Sequence, residues 1–192
     1  VRSRRQRQMC IRDRNSAMQS LRDVVRQQND VHQQSNYFNE DDLPKQNYDS
    51  AIQSGQAIID KDHNPIMSKA EIEQATNQIS TSQAALDGEN KLHSDQTHAN
   101  EQIDYLSNLN ERQINAEKDL INQSTTRSDV AQKLAKAKEL NDAMKALRDG
   151  IQNKDELKQS SAYINADPTK KSAYDEAPVS YTHLTLPTTP YV

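Results

Sequence analysis

The sequence predicts an all-α protein: tandem antiparallel three-helix bundles, joined in series through long shared helices into an elongated rod. Three observations lead to this fold class. Apolar residues recur at the three- and four-residue spacing of a helix face, turn and capping residues separate the stripes, and one segment recurs downstream at a fixed offset. Each helix has one apolar stripe to bury, and three antiparallel helices are the simplest arrangement that buries it.

Three helices are expected in the first half of the chain, at about residues 16–34, 44–60 and 68–86. Pro44 fits the first turn of the second helix, where a missing N–H costs nothing. An Asn-Pro pair at residues 64–65 breaks the pattern. Ser68 is the expected N-cap of the third helix, with Glu71 completing a capping box, and Gly88 is expected to follow its end.

The second half predicts helices at about residues 89–106, 111–123 and 128–161. A short turn at residues 108–110 separates the first two. Ser128 and Asp129 are the expected caps of the last helix. Its apolar residues fall every seven positions, which is typical of a bundle seam. They are Val130, Ala137, Met144 and Ile151, with Leu134, Leu140 and Leu147 between them.

An internal repeat relates residues 17–51 to residues 143–177 without a gap, at an offset of 126. Fourteen of the 35 aligned pairs are identical. Such an echo indicates a tandem array, in which units stabilise their neighbours. Tyrosines and methionines recur with the repeat, and we expect them to pack at helix junctions and in the core. They are Tyr37 and Tyr163, Tyr48 and Tyr174, and Met18 and Met144.

The two ends differ from everything between them. One DNA spelling of residues 1–14 encodes residues 178–191 when its reverse complement is translated, and the string resembles a sequencing adapter. We therefore interpret residues 1–14 and 178–192 as translated adapter, expected to be disordered, and set them aside as one would a fusion scar. The only cysteine, Cys10, and a cluster of six arginines fall in the amino-terminal piece.

Composition limits the possible partners. Removing the six arginines and Asp13 of residues 1–14 from 24 Lys+Arg and 28 Asp+Glu leaves 18 against 27, a net charge of −9. This balance argues against nucleic-acid binding, which needs a cationic face. No apolar run approaches the roughly 18 residues of a membrane span, so no membrane insertion is expected.

The candidate chemical groups predict no catalytic, cofactor-binding or metal site. The histidines of the remaining sequence are His32, His63, His93 and His98. His93 and His98 are five residues apart and do not share a helix face as metal ligands at i and i+4 do. All four are expected to be solvated surface residues.

Clustered acidic residues at 41–42 and 60–62 could suggest calcium. They lack the spaced oxygen ligands and the glycine of an EF-hand loop. Asp41, Asp42, Asp60 and Asp62 are therefore expected to be turn or cap carboxylates. A thin helical protein also offers little of the concave volume that active sites need.

Two kinds of known module resemble this sequence. Residues 46–88, with QNYDSAIQSGQAIID and AEIEQATNQISTSQAALDG, and residues 157–177, LKQSSAYINADPTKKSAYDEA, resemble the FIVAR module. Residues 91–149 resemble the GA module through the spaced pattern Leu106, Leu109-Asn110, Gln113, Ile121, Val130, Leu140, Ala143-Met144 and Leu147. Their alternation is similar to the repeat region of the giant extracellular-matrix-binding surface proteins of staphylococci.

The resemblance implies a domain plan. Residues 15–36 would end a helix of the preceding unit, and residues 37–88 would form a FIVAR-like module. Residues 89–150 would form a GA-like three-helix module, and residues 151–177 would start the next FIVAR-like module. The protein would lie outside the bacterial cell, attached to the wall.

The resemblance also implies non-enzymatic roles. We expect a rod spacer that binds matrix proteins such as fibronectin weakly, with many copies adding avidity. The alternative is a dedicated albumin-binding GA-type module, with its site at residues 110–128. Charged and amide side chains crowd that helix, whereas a tight site needs an apolar centre. They include Glu111, Arg112, Asn115 and Lys118. A third alternative is an intracellular helical scaffold.

Overall fold

A computed structural model describes residues 4–60 and 68–185 of the chain. Every regular element in these ranges is α-helical, which confirms the all-α prediction. In chain order the elements are α1 (Arg4–Arg26), α2 (Gln28–His32), α3 (Ser35–Phe38), α4 (Asp42–Asp60), α5 (Lys69–Ala84), α6 (Gly88–Asp104), α7 (Glu111–Asn122), α8 (Arg127–Gln152), α9 (Lys154–Lys158), α10 (Ser161–Ile164) and α11 (Pro168–Thr185).

The chain divides into two compact units, residues 1–93 and 94–192. In the first unit α1, α4 and α5 pack against one another as a three-helix bundle. The core consists of one stripe from each helix, as the apolar spacing predicts. Its fully buried members include Leu21, Tyr48, Ile72 and Ile79. Each buried Leu or Ile side chain contributes about 1.5–3 kcal/mol to the stability of such a core.

Two helix starts of the first unit agree with the sequence prediction. The Ser68 hydroxyl accepts the N–H of Glu71 at 3.3 Å, and the Glu71 carboxylate accepts the N–H of Ser68 at 2.9 Å. This pair is the predicted capping box of α5. Pro44 lies in the first turn of α4. The predicted break at residues 64–65 lies outside the described residues.

Two boundaries in the first unit differ from the prediction. The expected helix over 16–34 breaks at Gln27 into α1 and α2. Gly88 does not end α5, which stops at Ala84; it begins α6 instead. No glycine of the described residues has a positive φ, so Gly88 is not there for a left-handed cap. Its role is close packing.

In the second unit α7 packs against α8. The buried apolar residues include three of the predicted seam, Val130, Ala137 and Met144, together with Ala99, Ile103, Leu109 and Ile121 from α6, the turn after it and α7. The fourth seam residue, Ile151, is only half-buried, and Leu147 is exposed. The predicted caps of α8 were wrong by two residues. Thr126 is the N-cap, and its hydroxyl accepts the N–H of Asp129 at 3.1 Å.

The last predicted helix, 128–161, is also shorter than expected. α8 ends at Gln152 and is followed by the short helices α9 and α10. The bounds of these helices recur at the 126-residue offset of the repeat. Moving the end of α1 and the bounds of α2 and α3 by 126 residues gives the end of α8 and the bounds of α9 and α10. α4 and α11 also start in register.

The terminal segments are helical where the structure describes them. α1 already begins at Arg4 and α11 continues to Thr185, which differs from the disorder we expected for residues 1–14 and 178–192. Arg and Gln are good helix formers, so the packed part of α1 can extend through them. Residues 1–3 and 186–192 lie outside the described ranges, and the adapter origin of both ends stays a prediction. Within the described ranges, no helix is long and apolar enough to cross a lipid bilayer.

Candidate interaction surfaces

A cluster of polar aromatic and charged side chains joins α2, α3 and α4. His32 Nε2 lies 2.9 Å from Asp49 Oδ1, and the Tyr37 hydroxyl donates to Asp49 Oδ2 at 2.7 Å. The rings of His32 and Tyr37 stack with centroids 4.2 Å apart. Tyr48 contacts both rings edge-on from within the core. The cluster fixes the turn from α3 into α4 against α2.

The second copy of the repeat contains a corresponding cluster with one residue changed. The Tyr163 hydroxyl donates to Asp175 Oδ2 at 2.8 Å, and Lys158 Nζ lies 2.6 Å from Asp175 Oδ1. Tyr163 and Tyr174 meet edge-on at 5.8 Å, close to the 6.0 Å between the tyrosines of the first copy. Lys158 stands 126 residues after His32. A lysine therefore replaces the histidine as the partner of the carboxylate.

This replacement decides what the cluster does. A His–Asp–Tyr group could suggest proton transfer, which needs a group that can give and take a proton near neutral pH. Lysine in the second copy is a fixed cation: hydrogen bonding to Asp175 is the main reason that its pKa lies above the usual value. Burial and the hydrogen bond to Asp49 raise the pKa of Tyr37 to about 12, so its proton stays in place. We conclude that both clusters are packing and orienting devices.

Tyr48 packs in the core, as expected, and brings its hydroxyl into the core with it. The side chain is fully buried, and the hydroxyl has no hydrogen-bond partner within the part of the chain that the structure describes. Buried tyrosines usually keep a partner. Burial, followed by the charge of Asp49, raises the pKa of Tyr48. The hydroxyl is thus a destabilising element inside an otherwise apolar core.

A second polar cluster surrounds the start of α6. The Glu40 side chain is 1% exposed. Its carboxylate accepts the N–H of Asp41 at 2.8 Å, the N–H of Asp87 and the ammonium of Lys91. The Asn36 side chain accepts the N–H of Glu89 at 3.1 Å. Two N–H groups at the amino end of α6 thus have side-chain partners, and a carboxylate there complements the helix dipole.

The charge state of Glu40 follows from these contacts. Burial by itself would raise its pKa, but the hydrogen bonds from Lys91, Asp87 and Asp41 outweigh burial and lower it. Asp41 is the other anion that Lys91 contacts, at 2.5 Å. Hydrogen bonds to Asp41 and then Glu40 raise the pKa of Lys91. Both partners are therefore held in their charged forms.

Gly88 makes this junction possible. A Cβ atom on Gly88 would lie 2.6 Å from the backbone N of Glu40, and 2.7 Å from the carbonyl oxygens of Asn36 and Ser35. All three are backbone atoms, so a flexible side chain cannot simply turn aside. The glycine is needed because the backbones of two segments touch here.

The surface predicted for albumin binding centres on α7. Asn110 caps this helix: its side chain accepts the N–H of Gln113 at 2.8 Å, and the Gln113 side chain accepts the N–H of Asn110 at 3.0 Å. Buried Ile121 and Ser124 anchor the other end. Gln96 Nε2 donates to the Ser124 carbonyl oxygen at 3.0 Å. α7 is thus capped at its start and packed at its end.

The outward face of α7 carries mostly charged and amide side chains. A shallow groove along it is lined by Glu111, Arg112, Asn115, Ala116 and Asp119. Lys118 is turned towards α6, where Nζ lies 2.5 Å from Asp104 Oδ1. Leu120 is the large apolar residue of this helix that is exposed. Tight interfaces have an apolar centre with a polar rim, and this face provides mainly the rim.

The other candidates from the sequence lie apart from one another. His93 and His98 are exposed on α6, and His63 lies outside the described residues. His32, expected at the surface, is half-buried in the tyrosine cluster. Among the described residues no group of three or more His, Cys, Asp and Glu could hold a metal ion. Asp42 is the first residue of α4; Asp62 is outside the described residues.

Sequence reasoning missed the Glu40–Gly88–Lys91 junction. Glu40 does not recur, because Ala166 stands at its place in the second copy. A buried carboxylate in a turn follows no periodicity, so no pattern pointed to it. The aspartate of the tyrosine cluster could have been found, since Asp49 and Asp175 each follow a repeated tyrosine directly.

Comparison with protein families identifies two modules. A profile of the FIVAR domain matches residues 17–87 and 143–178, more than half of the chain. A profile of the GA module matches residues 89–143. The two matches together follow the order expected from the sequence.

Curated relatives come from Staphylococcus aureus. The extracellular matrix-binding protein ebh of strain MW2 is 42% identical over 163 residues, which is 85% of this chain and 2% of that protein. The extracellular matrix-binding protein EbhA of strain Newman is 38% identical over 163 residues, 85% of this chain and 5% of that protein. The chain therefore corresponds to a small part of each relative.

Two crystal structures from the same organism share the fold. The 756–1003 domain of EbhA superposes with a TM-score of 0.78 at 28% identity, covering 88% of this chain and 67% of that one. A second domain, described as similar to the streptococcal adhesins emb and ebhA/ebhB, has a TM-score of 0.61 at 25% identity. That match covers 66% of this chain and 98% of the other.

Proposed function

The chain belongs to the family of FIVAR and GA module repeats of the staphylococcal extracellular matrix-binding proteins, and on that premise we propose that it is a spacer and weak matrix-binding segment of a bacterial cell-surface protein. By that homology it is a non-enzymatic repeat segment. The matrix ligand that we propose first is fibronectin.

The observation that carries this proposal is repetition. The helix bounds and the Tyr–Asp hydrogen bond both recur at an offset of 126 residues. A ligand site within a recurring unit would recur with it. Many weak sites on one chain bind through effective concentration, and avidity can exceed the single-site affinity by about 10²–10⁴.

The surface chemistry supports weak and reversible contact. The grooves of the first unit are lined mostly by amide and hydroxyl side chains, as between α4 and α5, where Asn47, Gln74, Gln78 and Thr81 lie. The residues that line this groove include no large aliphatic or aromatic side chain of the kind that anchors tight interfaces. A spacer needs the same property, because an apolar surface would cause aggregation.

The test compares one copy with several. The full chain carries a single biotin and is measured by surface plasmon resonance on immobilised fibronectin, both alone and on tetrameric streptavidin. We expect fast dissociation of the single chain, and about 10²-fold stronger apparent binding of the tetramer. Immobilised serum albumin is measured in parallel over a series of salt concentrations. Failure of the tetramer to bind fibronectin would contradict the proposed ligand.

A dedicated albumin-binding module is the rival. It requires nanomolar binding of a single chain to albumin, with a site on α7. Ala116 lies in the groove of that helix, and Ala116→Arg would abolish albumin binding while leaving fibronectin binding unchanged. The polar face of α7 is the reason that we place this function second. An intracellular scaffold is a third possibility, which the relationship to matrix-binding proteins disfavours.

A further inference from the structure

The Glu40–Gly88–Lys91 junction fastens together two points that are far apart in the sequence. Residues 42–86 lie between its two sides, and they contain α4 and α5, which pack against each other as a helical hairpin. The chain enters this hairpin next to Glu40 and leaves it at Asp87, whose N–H donates to the Glu40 carboxylate. Both ends of the hairpin are therefore held at the same place.

Several contacts hold the junction closed. The Glu40 side chain is 1% exposed, and its carboxylate accepts a hydrogen bond from the Lys91 ammonium in addition to the one from Asp87. The Asn36 side chain accepts the N–H of Glu89 at 3.1 Å. Hydrogen bonds to ionised groups are stronger than those between neutral groups, and exclusion of water strengthens them further. Side chains of the segment before α4 thus fasten that segment to the start of α6.

The position of these contacts determines how a pull on the two chain ends is transmitted. From the amino-terminal side, tension reaches the junction through α3, and from the carboxyl-terminal side it arrives through α6. Since the junction joins these two elements directly, tension passes across its hydrogen bonds and bypasses residues 42–86. Without the junction, the same pull would act on the carboxyl end of α5 and peel this helix away from α4.

We propose that the junction is a tension bypass, which keeps the α4–α5 hairpin out of the line of force and releases it in one step when the junction breaks. The 45 residues from 42 to 86 would then lengthen the chain by about 16 nm, at about 3.6 Å for each extended residue. The inference rests on the proposed spacer function for its biological use, because a spacer that is held at one end and bound at the other is under tension.

The second copy of the repeat lacks the side chains that close the junction. Ala162 stands at the place of Asn36, and Ala166 at the place of Glu40. The side chain of alanine has no atom that can accept a hydrogen bond. The bounds of α10 nevertheless equal those of α3 at the repeat offset, so the backbone of this segment tolerates both alanines. The bypass is therefore a property of the first copy, and the second copy indicates the substitutions that would remove it.

The experiment holds the full chain by its two ends in optical tweezers and records its length at constant force. We expect a separate step with a contour-length gain of about 16 nm, which marks the release of residues 42–86. The lifetime before this step measures the resistance of the junction, because forced unfolding is governed by the unfolding rate.

Two junction variants are compared with a variant of the hairpin core. Asn36→Ala combined with Glu40→Ala copies the second repeat and should shorten the lifetime about tenfold or more, as expected for the loss of hydrogen bonds to a charged group. Lys91→Met removes only the ammonium and should shorten the lifetime by a smaller factor, which keeps the test valid if the double variant does not fold. Ile52→Val weakens the buried core on α4 and should leave the lifetime unchanged, because the hairpin is under no tension before the junction opens.

Three results would overturn the proposal. The first is the extension of residues 42–86 without a distinct step of this size. The second is an unchanged lifetime in both junction variants, which would mean that the junction transmits no tension. The third is shortening by Ile52→Val as large as that by the junction variants, which would mean that the core of the hairpin sets the lifetime. None of these measurements involves fibronectin, so a failure here is distinct from a failure of the proposed ligand.

Discussion

Replacing Gly88 by alanine should destabilise the first unit, although alanine is the better helix former. Gly88 is the first residue of α6, and three backbone atoms of the segment from Ser35 to Glu40 lie within 2.7 Å of the position of the added Cβ. Real Cβ atoms essentially never come so close to other heavy atoms. The chain must therefore move one backbone segment away from the other.

The magnitude follows from two opposing effects. Alanine gains up to about 1 kcal/mol over glycine in a helix, and less at its first residue. Forcing an extra carbon into a close-packed site costs about 1–3 kcal/mol. Moving the backbone would also stretch the hydrogen bonds of Glu40 to Asp87 and Lys91. We expect a net loss of about 2 kcal/mol, or a decrease in Tm of roughly 4–8 °C for each kcal/mol.

Thermal unfolding of the full chain, followed by circular dichroism at 222 nm, measures the effect. Gly150→Ala is the matched control, because a Cβ there meets no atom within 4 Å. Gly150 lies inside α8, so this variant should gain about 0.5–1 kcal/mol from helix propensity. The reasoning is refuted if Gly88→Ala is as stable as the parent chain or more stable.

Three further predictions concern buried polar groups. Tyr48→Phe should stabilise the first unit by about 1 kcal/mol in urea unfolding, because it removes an unpartnered hydroxyl. Tyr37→Phe should destabilise it by about 1 kcal/mol, because it loses the hydrogen bond to Asp49. Equal effects of the two substitutions would contradict this assignment. The pKa of Glu40 in the folded protein is lowered from its ordinary value of 4.5, so the ionised carboxylate stabilises the fold above that pH and this stabilisation is lost as the pH falls. Glu40→Gln should therefore reduce the difference in Tm between pH 7 and pH 3. The raised pKa of Tyr37 means that its protonated hydroxyl stabilises the fold fully below pH 10, and that this stabilisation is lost as the pH rises towards 12. Tyr37→Phe should flatten that part of the plot of stability against pH.

Much of the fold could be predicted because it depends on local periodicity. The stripe containing Tyr48 and Ile79 and the seven-residue spacing from Val130 to Met144 identify the faces that the structure buries. The Ser68 capping box could be predicted for the same reason, since both partners lie within one helical turn. The repeat at an offset of 126 residues could be found by aligning the sequence with itself.

What could not be predicted depends on contacts between distant residues. Gly88 has the sequence context of a helix end, and only its approach to Glu40, 48 positions earlier, explains its place in the structure. The breaks at Gln27 and Asn153 contain no proline or glycine. The exposure of Leu147 could not be predicted either, because Leu21, the equivalent residue of the first copy, is buried.

The central claim is that one local fold recurs after 126 residues, and backbone NMR chemical shifts of the full chain test it most directly. The account predicts helical shifts that are interrupted at residues 34 and 160, where the backbone is extended, and again at residues 39–41 and 165–167, with matching patterns across 17–51 and 143–177. A helix that runs unbroken through residue 160, or a non-helical segment at 168–177, would contradict it.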